Sequence, residues 1–182
     1  MSKAIGMVEL KTVSAGISAA DLVLKTAQVD MILAQTVCPG KYIALFSGEL
    51  SAVRSSVDAV KKRYADSLID SFLLGNPHEM IFPALYGAVQ VTDARALGVL
   101  DTYSAASIIT AADAAAKTAQ VELIEVRIAR GMSGKSYLLL TGSVAAVQAA
   151  IEKAKQETGE KGWLLDSSVI PNPDPSLWQS IL

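Results

Sequence analysis

With 182 residues the chain is long enough for one ordinary domain or two small ones, either able to bury a core without disulfide or metal support. Its 16 basic and 18 acidic residues give a net charge of -2, which excludes the electrostatic footprint of a protein that binds nucleic acid or an anionic membrane, and the single cysteine, Cys38, excludes an intrachain disulfide. Apolar residues make up 51% of the chain but aromatics only 5%, so the apolar mass is mostly Ala, Val, Leu and Ile, suited to close backbone packing that continues into neighbours.

Ile5, Met7 and Leu10 predict a short first strand. Gly6 and Glu9 in the same segment interrupt the apolar run that a signal peptide needs, and a cytoplasmic location is expected. Ser18 is placed to cap a helix running through Gln28, with Leu22, Thr26 and Val29 on one face. Val29 to Val37 is apolar and β-branched, Tyr42 to Phe46 follows a tight loop as a third extended segment, and Gly48 closes a turn. Val53, Val57 and Val60 then share one face of a second helix, and Leu68 to Leu74 predicts the last strand.

At Ala96 the pattern starts again. Ala19-Ala20-Asp21-Leu22-Val23-Leu24-Lys25-Thr26-Ala27-Gln28-Val29 returns as Ala111-Ala112-Asp113-Ala114-Ala115-Ala116-Lys117-Thr118-Ala119-Gln120-Val121, identical at eight of eleven positions. Upstream, Ala4 to Glu9 matches Ala96 to Asp101 at the same spacing; downstream, Gly40-Lys41 pairs with Gly134-Lys135, Gly48 with Gly142 and Asn76-Pro77 with Asn172-Pro173, so the second copy carries extra loop residues. Val147, Ile151 and Ala154 repeat the second helix face, and Leu164 to Ile170 repeats the last strand. Each copy is a supersecondary domain rather than a solenoid unit, with the break near Thr92 to Arg95, giving domains 1–92 and 93–182. The order strand, helix, strand, strand, helix, strand predicts an antiparallel or mixed sheet covered by helices on one side, an α+β fold. The longest uncharged stretch, Ser136 to Ile151, contains Thr141-Gly142-Ser143 and Gln148 and cannot span a membrane.

Few residues suggest catalysis. The one histidine, His78, follows a strand in Asn76-Pro77-His78-Glu79, where the second copy has Asp174, and reads as a surface or interface residue. No serine, histidine and acid arrangement can be assembled. Arg130-Gly131-Met132-Ser133-Gly134-Lys135-Ser136 has two residues between its glycines where a phosphate loop needs four, and reads as a glycine turn between strands. Cys38 occupies the matching loop of the first copy, and the following Pro39-Gly40-Lys41 places it at a turn, where exposure is expected. One thiolate cannot hold a metal cluster, but three related by a threefold axis could.

These residues are similar to those of bacterial microcompartment shell proteins of the tandem-domain trimer class. The resemblance covers essentially the whole chain and rests on Gly6-Met7-Val8-Glu9, on Ala20 through Ala27, on their copies in the second half, and on Val169-Ile170-Pro171-Asn172-Pro173. Within the class, Val37-Cys38-Pro39-Gly40-Lys41 resembles the propanediol-utilization members in which that cysteine binds an iron–sulfur cluster. The resemblance implies two tandem BMC domains of the ferredoxin-like, permutation-related kind, and a homotrimer that imitates a hexamer beside other shell proteins, with no enzymatic activity. It places Val37, Pro39 and Gly40 with Gly131, Met132, Ser133 and Gly134 around a central pore, and Lys25, Lys117, Asn76 and Asn172 at shell edges. The family's edge motif usually sets an arginine between two prolines; here Asn172 stands between Pro171 and Pro173, and Asn76 follows Gly75. Cys38 from three chains would hold one [4Fe–4S] cluster per trimer, with an external fourth ligand, for electron transfer or cluster delivery across the shell. The same three thiolates and a water could instead hold Zn²⁺, or Cys38 could line an open, metabolite-conducting pore.

Overall fold

The computed structural model describes residues 4–91 and 94–182, so the boundary expected between residues 92 and 93 lies outside the described residues. The elements are β1 (Ala4–Leu10), α1 (Val13–Thr26), β2 (Val29–Val37), β3 (Lys41–Gly48), α2 (Leu50–Arg63), β4 (Leu68–Leu74) and α3 (Ile81–Leu85), then β5 (Ala96–Thr102), α4 (Ala105–Thr118), β6 (Val121–Arg127), β7 (Ser136–Gly142), α5 (Val144–Gly159), β8 (Leu164–Ile170) and α6 (Pro175–Ile181). They fall into two compact units. One holds the chain up to Pro77 with Ser104–Ser107 and Ala129–Gly134; the other holds His78–Tyr103, Ile108–Ile128 and Lys135–Leu182.

In the first unit four strands lie in the order β2-β3-β1-β4, every neighbouring pair antiparallel. Two helical crossovers produce this order, because β1-α1-β2 and β3-α2-β4 each leave a gap of one strand and the two units interleave, the ferredoxin-like arrangement. The helices pack on each other, α1 against β3 and α2 against β1. Along β1 the even positions Ala4, Val8 and Leu10 join Val23, Phe46, Val53 and Val57 in the core, each valine, leucine or phenylalanine contributing about 1.5–3 kcal/mol by leaving water. Ile5, Met7 and Glu9, on the opposite face by strand alternation, are also completely buried.

The second unit repeats the topology as β6-β7-β5-β8, again antiparallel throughout, with α5 packed on β5 and β8. The sheet is therefore wholly antiparallel in both repeats, with none of the mixed pairing also allowed by the strand order.

Three local expectations are corrected. The first helix starts at Val13 and not near Ser18: Thr12 has extended backbone and its hydroxyl accepts the Ala15 N–H, while Ser18 sits exposed within the second turn. That helix ends at Thr26, because Ala27 is already extended, leading into β2. Gly48 does not form a turn of its own; it ends β3 beside Val29, where a Cβ would come within 3.3 Å of the Gln28 carbonyl oxygen. Two short helices, α3 and α6, were not expected from the pattern, although α6 carries an N-terminal signal in Asp174, which accepts from Ser176, and Pro175 in its first turn.

Gly16 sets how closely α1 lies on β3. A Cβ there would stand 2.1 Å from Tyr42 Cβ and 2.4 Å from its Cγ, atoms fixed to the strand that cannot swing away. Gly16→Ala is expected to destabilise the fold by about 1–3 kcal/mol, read as a lower denaturant midpoint at unchanged slope.

Candidate functional site

β2 ends at the buried Val37, and the chain turns through Cys38-Pro39-Gly40 before Lys41 opens β3. The Gly40 N–H donates to the Val37 carbonyl at 3.0 Å, and φ of +90° at Gly40 is a left-handed conformation that favours glycine. Cys38 is a free thiol of intermediate exposure, followed by a cis peptide bond to Pro39. Its backbone N–H donates to the Ala129 carbonyl at 3.1 Å.

That bond joins the loop to the segment Ala129–Gly134 from the second repeat, which belongs to the same compact unit. Gly134, with φ of +85°, closes against it: a Cβ would lie 3.0 Å from Pro39 Cδ, 3.1 Å from the Cys38 carbonyl oxygen and 3.2 Å from Lys41 Nζ. Val37, Cys38, Pro39 and Gly40 are thus brought together with Gly134. Gly131 and Ser133 are exposed, also with positive φ, and Met132 is partly buried between them. A run of left-handed residues at Ala129, Gly131, Ser133 and Gly134 makes this a compact turn rather than a helix-leading phosphate cradle. Among the described residues no three His, Cys, Asp or Glu side chains converge as metal ligands, so one chain offers the loop a single thiol donor.

Beneath the loop lies a buried polar network that sequence reasoning did not find. Lys41 Nζ reaches Glu9 Oε1 at 2.9 Å, with the glutamate side chain fully buried and the lysine 16% exposed. The other carboxylate oxygen, Oε2, accepts the Ala105 N–H at 3.0 Å, at the N-terminus of α4. Ser104 caps that helix, its Oγ accepting the Ser107 N–H at 3.0 Å and standing 2.5 Å from Asp70 Oδ2 and 3.2 Å from Glu9 Oε2. Ser107 Oγ donates to Asp70 Oδ2 at 2.7 Å. Two carboxylates therefore face a helix N-terminus and one ammonium, where aligned peptide dipoles favour negative charge. The available signal was an acidic residue in an apolar first strand and a lysine after the glycine turn, in both repeats: Glu9 with Lys41, and Asp101 with Lys135.

The residues expected at edges lie apart from this loop in the sequence and on other elements. Lys25 pairs with Asp21 at 2.7 Å and Lys117 with Asp113 at 2.6 Å, each one helical turn away. The other Asp113 oxygen, Oδ1, accepts the His78 N–H at 2.7 Å, and His78 Nδ1 accepts from the Met80 N–H at 3.4 Å, so the lone histidine organises the turn before α3. Asn76 is exposed after β4. Asn172 is exposed too and lines a shallow cleft with Arg95, Pro171, Pro173 and Trp178.

Equivalent faces of the two repeats differ in exposure. In α1, Ile17 is 55% and Leu24 50% exposed, whereas Ile109, the α4 counterpart of Ile17, is 0% exposed. The Asp21 side chain is 59% exposed and that of Asp113 7%.

The BMC domain family model matches residues 4–77 and again residues 96–173. The chain is 38% identical over 182 residues to the bacterial microcompartment shell protein PduT of Citrobacter freundii, covering 100% of this chain and 99% of that one. It is 27% identical to the carboxysome assembly protein CcmO of a Synechocystis strain, with 92% of this chain spanning 61% of that protein. Among solved structures, a microcompartment protein from Desulfitobacterium hafniense superposes with a TM-score of 0.85 at 46% identity, covering 98% of this chain and 99% of the other. A fused permuted hexameric shell protein from the RMM microcompartment shares the fold at a TM-score of 0.67 and 22% identity, over 87% and 82% of the two chains. Two βαββαβ units in tandem, each matched by the same domain model over nearly all its elements, show that the chain belongs to the BMC-domain family of bacterial microcompartment shell proteins.

Proposed function

We propose that three copies of the chain close into a pseudohexameric ring that tiles a microcompartment shell, with the Cys38 loops at its central pore and a [4Fe–4S] cluster held there by one Cys38 from each copy. The observation that carries the ring is the unequal burial of one helix face: α4 is covered along Ala105–Ala112, with Ile109 fully buried, while in the corresponding stretch of α1 its counterpart Ile17 is exposed. A large apolar side chain repeated in register but covered in only one repeat calls for a partner surface on the other. A relative named as a shell protein, matched from end to end, supports the same reading.

Cys38 fits the ligand chemistry. Its side chain is partly exposed at a turn, in the same loop as Gly40, which faces open space, and each copy contributes one thiolate. Three copies supply three of the four ligands such a cluster takes, leaving one iron to an external ligand. A bound cluster would supply one-electron exchange at the shell. The chain's own part is to fix the thiol: the Cys38 N–H on Ala129 and the Gly40 N–H on Val37 hold the loop backbone at both ends of the turn. Lys25 and Lys117 occupy matching positions on α1 and α4, where they would meet neighbouring tiles at the ring edge.

Anaerobically purified protein should be brown, with about one cluster per three chains. Cys38→Ser should abolish the iron and leave the assembly mass unchanged. Colourless, iron-free protein that still assembles points instead to an open pore, and dissociation of Cys38→Ser would make the thiol structural. Sheets or tubes formed at high concentration should disperse when Lys25 and Lys117 are both changed to Ala, as seen by electron microscopy.

A further inference from the structure

Each repeat places two acidic residues side by side on the last two strands of its sheet. Glu9 and Asp70 are direct partners across β1 and β4, and Asp101 and Asp166 across β5 and β8. In both pairs the register shifts immediately after the first acid, between Glu9 and Leu10 and between Asp101 and Thr102. Asp70 Oδ1 accepts the N–H of Ser71 at 2.8 Å, and Asp166 Oδ1 accepts that of Ser167 at the same distance. A lysine flanks each pair after the glycine turn, Lys41 at one and Lys135 at the other.

The two constructions differ in what faces them. Ser104, Ala105 and Ser107 close the first from the N-terminus of α4, and Glu9 is fully buried. The second is open: Asp166 is exposed and Asp101 partly so. In the repeat, the counterpart of α4 is α1. Its cap Thr12 takes the Ala15 N–H as Ser104 takes that of Ser107, yet Thr12 is exposed where Ser104 is buried. An acceptor site and the helix end that matches it are thus both left uncovered in one chain.

We infer that Asp101 and Asp166 receive the N-terminus of α1 from a second copy of this chain, with Thr12 and Val13 donating to them as Ser104 and Ala105 donate to Glu9 and Asp70. The inference rests on the ring reading and specifies one of its interfaces. Thr12 supplies the hydroxyl and Val13 the backbone N–H; Ala15 stands in the place of Ser107, so the intermolecular site has one hydroxyl fewer than the internal one. That makes it the weaker of the two contacts and the one that opens when the ring comes apart.

Charge gives the contact a pH dependence. In the free chain Asp101 sits above the usual carboxylate range, chiefly because burial desolvates it and secondly because Asp166 is near, with Lys135 acting in the opposite sense. Tyr137 faces it from β7, with its hydroxyl on Glu125 Oε2, and Arg127 lies over the Tyr137 ring. A docked helix N-terminus favours the ionised carboxyl and so lowers its pKa. The contribution is then present above the free-chain pKa and lost as pH falls through the docked-state value.

The test uses the full chain. Wild type and the Asp101→Asn, Asp166→Asn double variant are compared by sedimentation velocity from about pH 7 down to about pH 4, near the ordinary aspartate pKa, with circular dichroism as a folding control. Association of the double variant should be weaker by about 10-fold or more at neutral pH, and its pH dependence should be flatter than that of wild type. Independently, Thr12→Cys with Asp166→Cys in a Cys38→Ser background should give covalently linked dimers and trimers with a short bismaleimide, whose span bridges the gap of up to about 8 Å between backbones that a hydroxyl–carboxylate contact allows and that exceeds disulfide reach. This second measurement decides the matter if the double variant fails to fold. A wild type that assembles while the paired cysteines stay unlinked between chains overturns this interface and leaves the ring standing. A wild type of single-chain mass at every pH overturns the ring itself, and the interface with it.

Discussion

One carboxylate organises the first repeat. Glu9 is a charge in the middle of an otherwise apolar central strand, completely removed from water. Burying it alone would cost several kcal/mol, so the fold surrounds it with donors: Lys41 on one oxygen, and the backbone and cap of α4 on the other. The consequence for the loop is direct. Lys41 is the first residue of β3 and follows Cys38-Pro39-Gly40, so the ion pair pins the downstream stem of the turn that carries the thiol. The cysteine is held by a strand that is itself held by charge.

How much of this was legible in the sequence varied with the range of the interaction. The duplication was plain because the run from Ala19 to Val29 and its copy, identical at eight of eleven positions, preserve small residues and a lysine on one helix, and strand bounds such as Ala4–Leu10 and Ala96–Thr102 keep the spacing of that match. That the sheet is antiparallel or mixed followed from element order alone. The start of α1 did not, because Ser18 and Thr12 are both good caps and only the backbone distinguishes a residue before a helix from one inside it. The network at Glu9 stayed hidden for another reason. Its members, Glu9, Lys41, Asp70, Ser104 and Ser107, are scattered over the chain, and no local periodicity joins residues whose only relation is a shared helix end.

The candidate site divides in the same way. The turn at Cys38 was readable from Pro39 and Gly40, whose backbone preferences are local. That the second repeat's loop folds against it, with Gly134 beside Pro39 and the Ala129 carbonyl on the Cys38 N–H, is a tertiary fact. The equal placement of Lys25 and Lys117 by sequence conceals a difference in surroundings: the aspartate paired with the first is open to solvent, and the one paired with the second is buried and also holds the turn before α3.

Duplication followed by divergence gives the two matching loops different freedoms. The Cys38 loop is three residues held between strand ends that pair directly, Val37 with Lys41, whereas the other runs on from Arg127 to Ser136 and carries no thiol. A single-domain ancestor that placed a cysteine in this loop would present it six times or not at all around a sixfold ring. Fusion of two copies breaks that arithmetic. In the proposed ring of three fused chains the alternate loops would be free to differ, and a thiol carried by one repeat alone would be presented three times and not six.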